Sequence, residues 1–224
     1  MVNEYNDFRG KYIEVEISGG IFHRGYLIDS GLDIFVLYDG ENNHFFYIPF
    51  QHVQRMKETR LDENSFYDPP SERPIETDGI SYRNTLMTAK GLFVQIYVTG
   101  NKAIHGYLTS IMNDYFVFHS PVYKTMYISM NHVKWLIPYS ADATPYSLSG
   151  QSIPFTPPSI SLARYFEEQL KKFEAQLVIL DGGDNPEKIG LLKRVQNNKA
   201  ILITAEGETV YWNLGHIKTI QSPF

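Results

Sequence analysis

The sequence predicts a mainly β chain of three tandem five-stranded barrels, each preceded by a short helix. Three observations lead there. One block of residues recurs three times in register, apolar and polar residues alternate inside it, and proline-rich segments separate the copies.

The recurrence is the strongest signal. Gly25, Gly106 and Gly190 correspond, and each is followed after 22, 21 and 21 residues by Tyr47, Tyr127 and Tyr211. From each tyrosine to the next histidine (His52, His132, His216) is 5 residues in every copy. Val or Ile follows each histidine, and an apolar residue stands four positions after it: Met56, Leu136 and Ile220. The copies are offset by 81 and 84 residues, longer than the repeat of a stacked solenoid, so each copy reads as a small domain.

Inside a copy the elements follow in order. A helical pattern opens it: Asn3 to Gly10, Ser81 to Lys90, and most clearly Ser161 to Phe173, where Leu162, Phe166, Leu170 and Phe173 share a face. On this last helix Glu167→Lys171 and Glu168→Lys172 are well-oriented i,i+4 pairs. A first strand follows, with Ile13, Val15 and Ile17 alternating with Glu14 and Glu16, and Val94, Ile96 and Val98 at the same period of two. Gly19-Gly20, Gly100-Asn101 and the run Asp181 to Asp184 predict hairpin turns, as does Asp39-Gly40. Further strands run through Gly25 to Ile28 and Ile34 to Tyr38, with Tyr115 to Phe118 and Ala200 to Thr204 as counterparts of the latter. A helix and five short strands in about 50 residues make a closed barrel, which leaves few open edges. The mid-strand glycine lets a strand bend where a Cβ would obstruct it.

Composition narrows the functional classes. Of 224 residues, 43% are hydrophobic, enough for a core. The absence of cysteine removes disulfides, thiolate-ligated zinc and a thiol nucleophile. No apolar run is long enough to span a membrane. The first eight residues predict no signal peptide, so a cytoplasmic origin is expected. The formal net charge of −5 argues against coating duplex nucleic acid. No nucleophile elbow, phosphate loop or zinc-protease motif is present, and no carboxylate pair can be placed across a substrate. The chain reads as non-enzymatic, without a cofactor or metal. The aromatic content is high, with 16 Tyr, 14 Phe and 2 Trp, as three small cores would require.

The run Val15-Glu-Ile-Ser-Gly-Gly20, then Gly25-Tyr-Leu27, Asp33 to Tyr38 and Tyr47-Ile-Pro-Phe-Gln-His-Val53 resembles the uncharacterised Sm-like barrel domains of Bacillus-type spore formers. The resemblance is close in the first copy, good in the second and weak in the third. It implies three Sm-like or SH3-like barrels, an association with sporulation and the spore coat, and ring-like or higher assembly through barrel edges. Asp33, Asp114 and Asn198 loosely match the loop acid of the wider RNA-binding Sm family, sitting next to the strand where that family's acid stands two residues before it. The basic-Gly-acid motif of that family is replaced by Phe50-Gln51-His52, Met130-Asn131-His132 and Leu214-Gly215-His216.

The repeated His52, His132 and His216 carry no carboxylate or second histidine at a fixed offset. They are expected to cap the turn before the fifth strand by satisfying a backbone group, not to bind metal. His23, His44, His105 and His119 do not repeat and are expected on the surface. A single-strand nucleic-acid face could be formed by Lys102, Lys124, Lys134 and Tyr107, because residues 90–138 carry a net +3.

The expected segments are barrel 1 at 1–57, an acidic linker at 58–80, barrel 2 at 81–138, a second linker at 139–159 and barrel 3 at 160–224. Both linkers contain aromatic-x-Pro-Pro-Ser, which makes Tyr67 and Phe155 candidate anchors that dock on a barrel and draw the three into one body. The function expected is a structural or scaffolding protein that mediates protein–protein assembly, including self-assembly, deposited on the spore coat as the resemblance implies. The alternatives are an Sm-like single-stranded nucleic-acid binder and a peptide-binding adaptor.

Overall fold

The computed structural model describes residues 4–60, 69–76, 79–99, 102–140, 143, 145–147 and 160–223. It is mainly β and antiparallel. A short helical segment followed by five strands occurs three times. The first succession is a 3-10 turn at Glu4–Phe8, then β1 (Tyr12–Ile17), β2 (Ile21–Ser30), β3 (Ile34–Asp39), β4 (His44–Pro49) and β5 (Val53–Glu58). The second is α1 (Tyr82–Thr88), β6 (Phe93–Thr99), β7 (Lys102–Ile111), β8 (Tyr115–Ser120), β9 (Lys124–Ser129) and β10 (Trp135–Pro138). The third is α2 (Phe166–Lys171), β11 (Leu177–Leu180), β12 (Ile189–Gln196), β13 (Lys199–Ile203), β14 (Thr209–Asn213) and β15 (Thr219–Gln221). Among the described residues no helix is long and apolar enough to cross a membrane.

Two compact units are built from these elements: residues 1–97 with 133–143, and residues 98–132 with 144–224. The division runs through the second succession. Strand pairing explains the cut. In the first unit the order is β5-β1-β2-β3-β4-β10-β6, so β10 and most of β6 belong with the first succession. In the second it is β7-β8-β9-β15-β11-β12-β13-β14.

Local sequence accounts for the bends. A Cβ on Gly25, Gly106 or Gly190 would lie 2.2, 2.2 or 2.3 Å from the carbonyl oxygen of Tyr38, His119 or Ile203. Only glycine lets the second and third strands of each succession approach this closely. A register shift follows three residues on, at Leu27/Asp29, Leu108/Ser110 and Leu192/Arg194, and bends the long second strand. The β1–β2 turn uses Gly19 and Gly20 at φ +95° and +71°. The run at Asp181 is not a tight hairpin. It is a 3-10 turn with Asp181 at φ 50°, and a second turn at Pro186–Lys188 precedes β12.

The helices are shorter than their apolar patterns. Ser81 caps α1, its Oγ accepting from the Asn84 N–H at 3.3 Å. On α2, Lys171 pairs with both Glu167 (3.1 Å) and Glu168 (2.8 Å). Lys172, expected to pair with Glu168, instead donates to the Ser161 carbonyl and hydroxyl at 2.9 and 2.8 Å.

Each unit has its own core. In the first, Ile13, Val15 and Ile17 of β1 meet Leu27, Phe35, Leu37, Phe46 and Ile48, with Tyr97 and Trp135. Glu14, on the opposite side of β1, is covered by Arg24 and Lys57 at 2.7 and 2.9 Å. In the second, Phe166, Leu170 and Phe173 pack on Tyr115, Val117 and Tyr127 as well as on Val178, Leu192 and Leu202.

Candidate functional site at the sheet edges

Successive strand sets are joined in one way. The fifth strand of a succession lies antiparallel to the fourth strand of the one before it. In the first unit β10 pairs with β4, and in the second β15 pairs with β9. The residues facing each other are those that recur in the sequence: Leu136 opposite Tyr47, and Ile220 opposite Tyr127. The repeated tyrosine and the apolar residue four positions past the histidine are therefore the two halves of a join.

Tyr47 and Tyr127 are buried by residues that follow their own successions in the chain. Tyr47 is 1% exposed, and its hydroxyl donates to the Ile75 carbonyl (3.0 Å) while accepting from the Ile75 N–H (3.1 Å). Burial pushes this phenol up to about 12. Tyr127 is 3% exposed, its ring 5.2 Å from Phe173 beside α2, and burial raises its pKa as well. Beside it, Tyr115 donates to the Ala163 carbonyl at 2.7 Å, and Gln169 Oε1 lies 3.0 Å from the same hydroxyl. Tyr211 differs. It is 61% exposed on β14.

A carboxylate completes each join. Asp33 accepts from the Tyr82 N–H at 2.7 Å at the start of α1, and Asp114 accepts from the Phe166 N–H at 2.8 Å at the start of α2. Each satisfies an N–H that the short helix itself leaves unpaired. Their backbone carbonyls also match, accepting from Phe50 and Met130 at 2.9 Å, as Asn198 accepts from Leu214 at 3.0 Å. Asn198, the third member of the series, is exposed at φ +58°, and its Nδ2 donates to Asn213 Oδ1 at 3.2 Å.

Two strands lack such a join. Among the described residues, β5 has β1 as its one strand neighbour and β14 has β13. Met56 lies on β5 and Tyr211 on β14, so the unjoined edges carry the two remaining members of the recurring pair.

The repeated histidines each end a 3-10 turn before the fifth strand. His132 places Nε2 3.0 Å from the Gly215 carbonyl, and burial lowers its pKa against the opposing pull of that hydrogen bond. His52 has Nδ1 3.5 Å from Ser18 Oγ, and His216 is exposed. Among the described residues, no group of three His, Asp or Glu side chains is arranged to hold a metal ion.

The residues of the nucleic-acid reading belong to both units. Lys134, in the first unit, donates to the Ser18 carbonyl at 2.5 Å and lies 5.8 Å from the Tyr97 ring centroid. Lys124, in the second, is exposed at φ +61°; Lys102 begins β7, and Tyr107 is half-buried opposite His119. Tyr67 and Phe155, the expected linker anchors, lie outside the described residues.

Some residues escaped sequence reasoning. His119 is 3% exposed, buried with the rest of β8, and His23 and His105 are half-buried, so of the four non-repeating histidines His44 alone is fully at the surface. His23 packs between Phe46 (4.5 Å) and Trp135 (4.6 Å), and desolvation lowers its pKa to about 4. Trp135 also stacks on Tyr97 at 4.0 Å and 14°. Asp181, read as a turn residue, accepts from the Lys218 and Thr219 N–H groups at 2.7 and 3.0 Å and so holds β15 in place. The only sequence signal for these roles was recurrence, which Asp33 and Asp114 show and His23 does not.

A Bacillus subtilis protein described only as uncharacterised protein YwrJ is 48% identical over 223 residues, covering 97% of this chain and 98% of its own. The chain belongs to the YwrJ family. Residues 165–220 match the domain described as YwrJ third domain, which spans α2 to β15. A second Bacillus subtilis protein, spore coat protein B, is 28% identical over 141 residues, covering 63% of this chain and 35% of its own.

Proposed function

We propose that the chain is a non-catalytic structural protein that mediates protein–protein assembly in the bacterial spore coat, and that its three strand successions are small barrels of the Sm-like or SH3-like kind. The observation that carries the reading is the repeated fourth-to-fifth-strand join, with its tyrosine, apolar partner and capping carboxylate. Such a join adds one strand to the open edge of another sheet, a mode of recognition in which main-chain hydrogen bonds give affinity and side-chain pairs give register. The coat as the place of action is supported by the likeness to spore coat protein B, a partial one that spans 35% of that protein.

A fluorescent fusion of the chain, produced in sporulating Bacillus subtilis, tests the placement. The fusion should collect around the forespore and be recovered in the alkaline coat extract of purified spores. A fusion that stays diffuse in the mother cell and is missing from that extract ends the coat reading.

A further inference from the structure

We propose that a cavity in the second unit binds an alkyl chain ending in an ammonium or guanidinium group, carried either by a lysine or arginine of a protein partner or by a free polyamine. The cavity lies between the 3-10 turn at Pro186–Lys188 and the turn that joins β13 to β14. Its volume is about 440 Å³, within the range of about 300–1,000 Å³ common to small-molecule sites. The wall is made by Asn185, Pro186, Glu187, Thr204, Glu206 and Glu208. Three carboxylates therefore share one concavity. Lys188, beside them in sequence, is held elsewhere, by Asp181 at 2.9 Å and Asp184 at 3.1 Å. Among the described residues none of the three glutamates is in an ion pair. Like charges gathered without a counter-ion raise the attraction for a cation.

Thr204 is the observation that turns an acidic surface into a site. It is 7% exposed, it lines the cavity, and among the described residues its Oγ1 has no hydrogen-bond partner. A buried hydroxyl left unpaired is costly, and a donor entering the cavity would relieve it. Ammonium and guanidinium groups are purely donors, which suits three carboxylates and a hydroxyl. A metal ion suits them less, because among the described residues no three Asp, Glu or His side chains converge as its ligands. An organic cation spreads its N–H groups more widely, and Pro186 offers an apolar surface to its alkyl chain. The wall is already held in place. Asn185 Oδ1 accepts from the Glu187 N–H at 2.9 Å, and Trp212 Nε1 donates to the Glu187 carbonyl at 3.1 Å. Across the cavity the Thr204 N–H donates to the Glu208 carbonyl at 2.9 Å, and the Gly207 N–H to the Thr204 carbonyl at 3.0 Å. Turns fixed before the ligand arrives lose little freedom on binding.

The site is separate from the strand joins, so the inference stands apart from the assembly and coat readings. Amide chemical shifts of the intact ¹⁵N-labelled chain test it at low salt, where ionic contacts are least screened. The probes are N-acetyl-lysine methylamide, N-acetyl-arginine methylamide, spermidine and the neutral N-acetyl-norleucine methylamide. The three cations should give saturable shifts centred on residues 185–187 and 204–208, and the norleucine compound none. Tighter binding of a capped residue identifies a protein side chain as the source of the cation, and tighter binding of spermidine identifies a polyamine. Glu206→Gln combined with Glu208→Gln should weaken binding about tenfold and leave distant amides unchanged, since both side chains are exposed. Thr204→Ser should bind as wild type, and Thr204→Val more weakly. Shifts that do not saturate, equal shifts with the norleucine compound, or undiminished binding by the double variant or by Thr204→Val would overturn the proposal.

Discussion

Replacing Tyr47 by Phe removes one oxygen from the first join and leaves the ring in place. That oxygen serves both polar groups of one residue, donating to the Ile75 carbonyl at 3.0 Å and accepting from the Ile75 N–H at 3.1 Å. Tyr47 is 1% exposed and Ile75 2%, so neither backbone group can turn to water without opening the structure. An unsatisfied buried polar group costs about 1–3 kcal/mol, and two on one residue relax partly together, so the expected loss is about 2–4 kcal/mol. Against a typical domain stability of about 5–15 kcal/mol this is a large fraction. Urea unfolding of both chains measures it, at a protein concentration low enough for both to be monomeric. The midpoint should fall with an unchanged slope, because the surface exposed on unfolding is the same. Tyr211→Phe is the matched control at the equivalent, exposed position, and it should stay within about 0.5 kcal/mol of wild type. A Tyr47→Phe loss no larger than that of Tyr211→Phe would refute the assignment of the repeated tyrosine to the join.

Three further outcomes are expected. His23 has a folded pKa of about 4 against an ordinary 6.5, so the unfolded chain takes up the proton first as pH falls. Stability should therefore drop by up to about 3 kcal/mol between pH 6.5 and 4 and level off below, and His23→Phe should remove that part of the slope in pH-dependent urea titrations. Gly106→Ala puts a Cβ 2.2 Å from the His119 carbonyl oxygen, against backbone that cannot swing aside. A loss of about 3 kcal/mol or failure to fold is expected, and an unchanged melting temperature would contradict the close approach. Asp114→Ala should cost about 1 kcal/mol by uncapping α2, whereas Asp114→Asn, which keeps an acceptor oxygen for the Phe166 N–H, should cost less; chemical denaturation of the two variants separates them.

Particular residues mark how far the sequence was legible. Gly25, Gly106 and Gly190 were readable as bends, because the clash that demands glycine arises between a strand and its immediate hairpin neighbour. The alternation of Ile13, Val15 and Ile17 was readable for the same local reason. The helix ends were less so. The apolar face from Leu162 to Phe173 is longer than α2, which begins only at Phe166 where Asp114 can cap it. His23 and His119 carry no periodic or motif signal, so their burial was invisible until the strands that cover them were in place. Asp181 sits in a run of turn-forming residues, and its bonds to Lys218 and Thr219 span 37 and 38 positions.

By itself the sequence determined the mainly β character, the recurring glycine, tyrosine and histidine, and membership of a family shared along nearly the whole chain. These depend on near neighbours, such as Cβ clashes, alternation along a strand and turn chemistry. Only the tertiary structure decided that Tyr47 and Tyr127 are covered and Tyr211 is bare, that Asp33 and Asp114 cap the following helix, and that the second succession is divided between two compact units. The three tyrosines look equivalent in sequence because each has the same local setting. They differ in the folded chain because burial is set by what packs across a strand edge: β10 and β15 lie along the edges that carry Tyr47 and Tyr127, whereas among the described residues β14, which carries Tyr211, has β13 as its one strand neighbour.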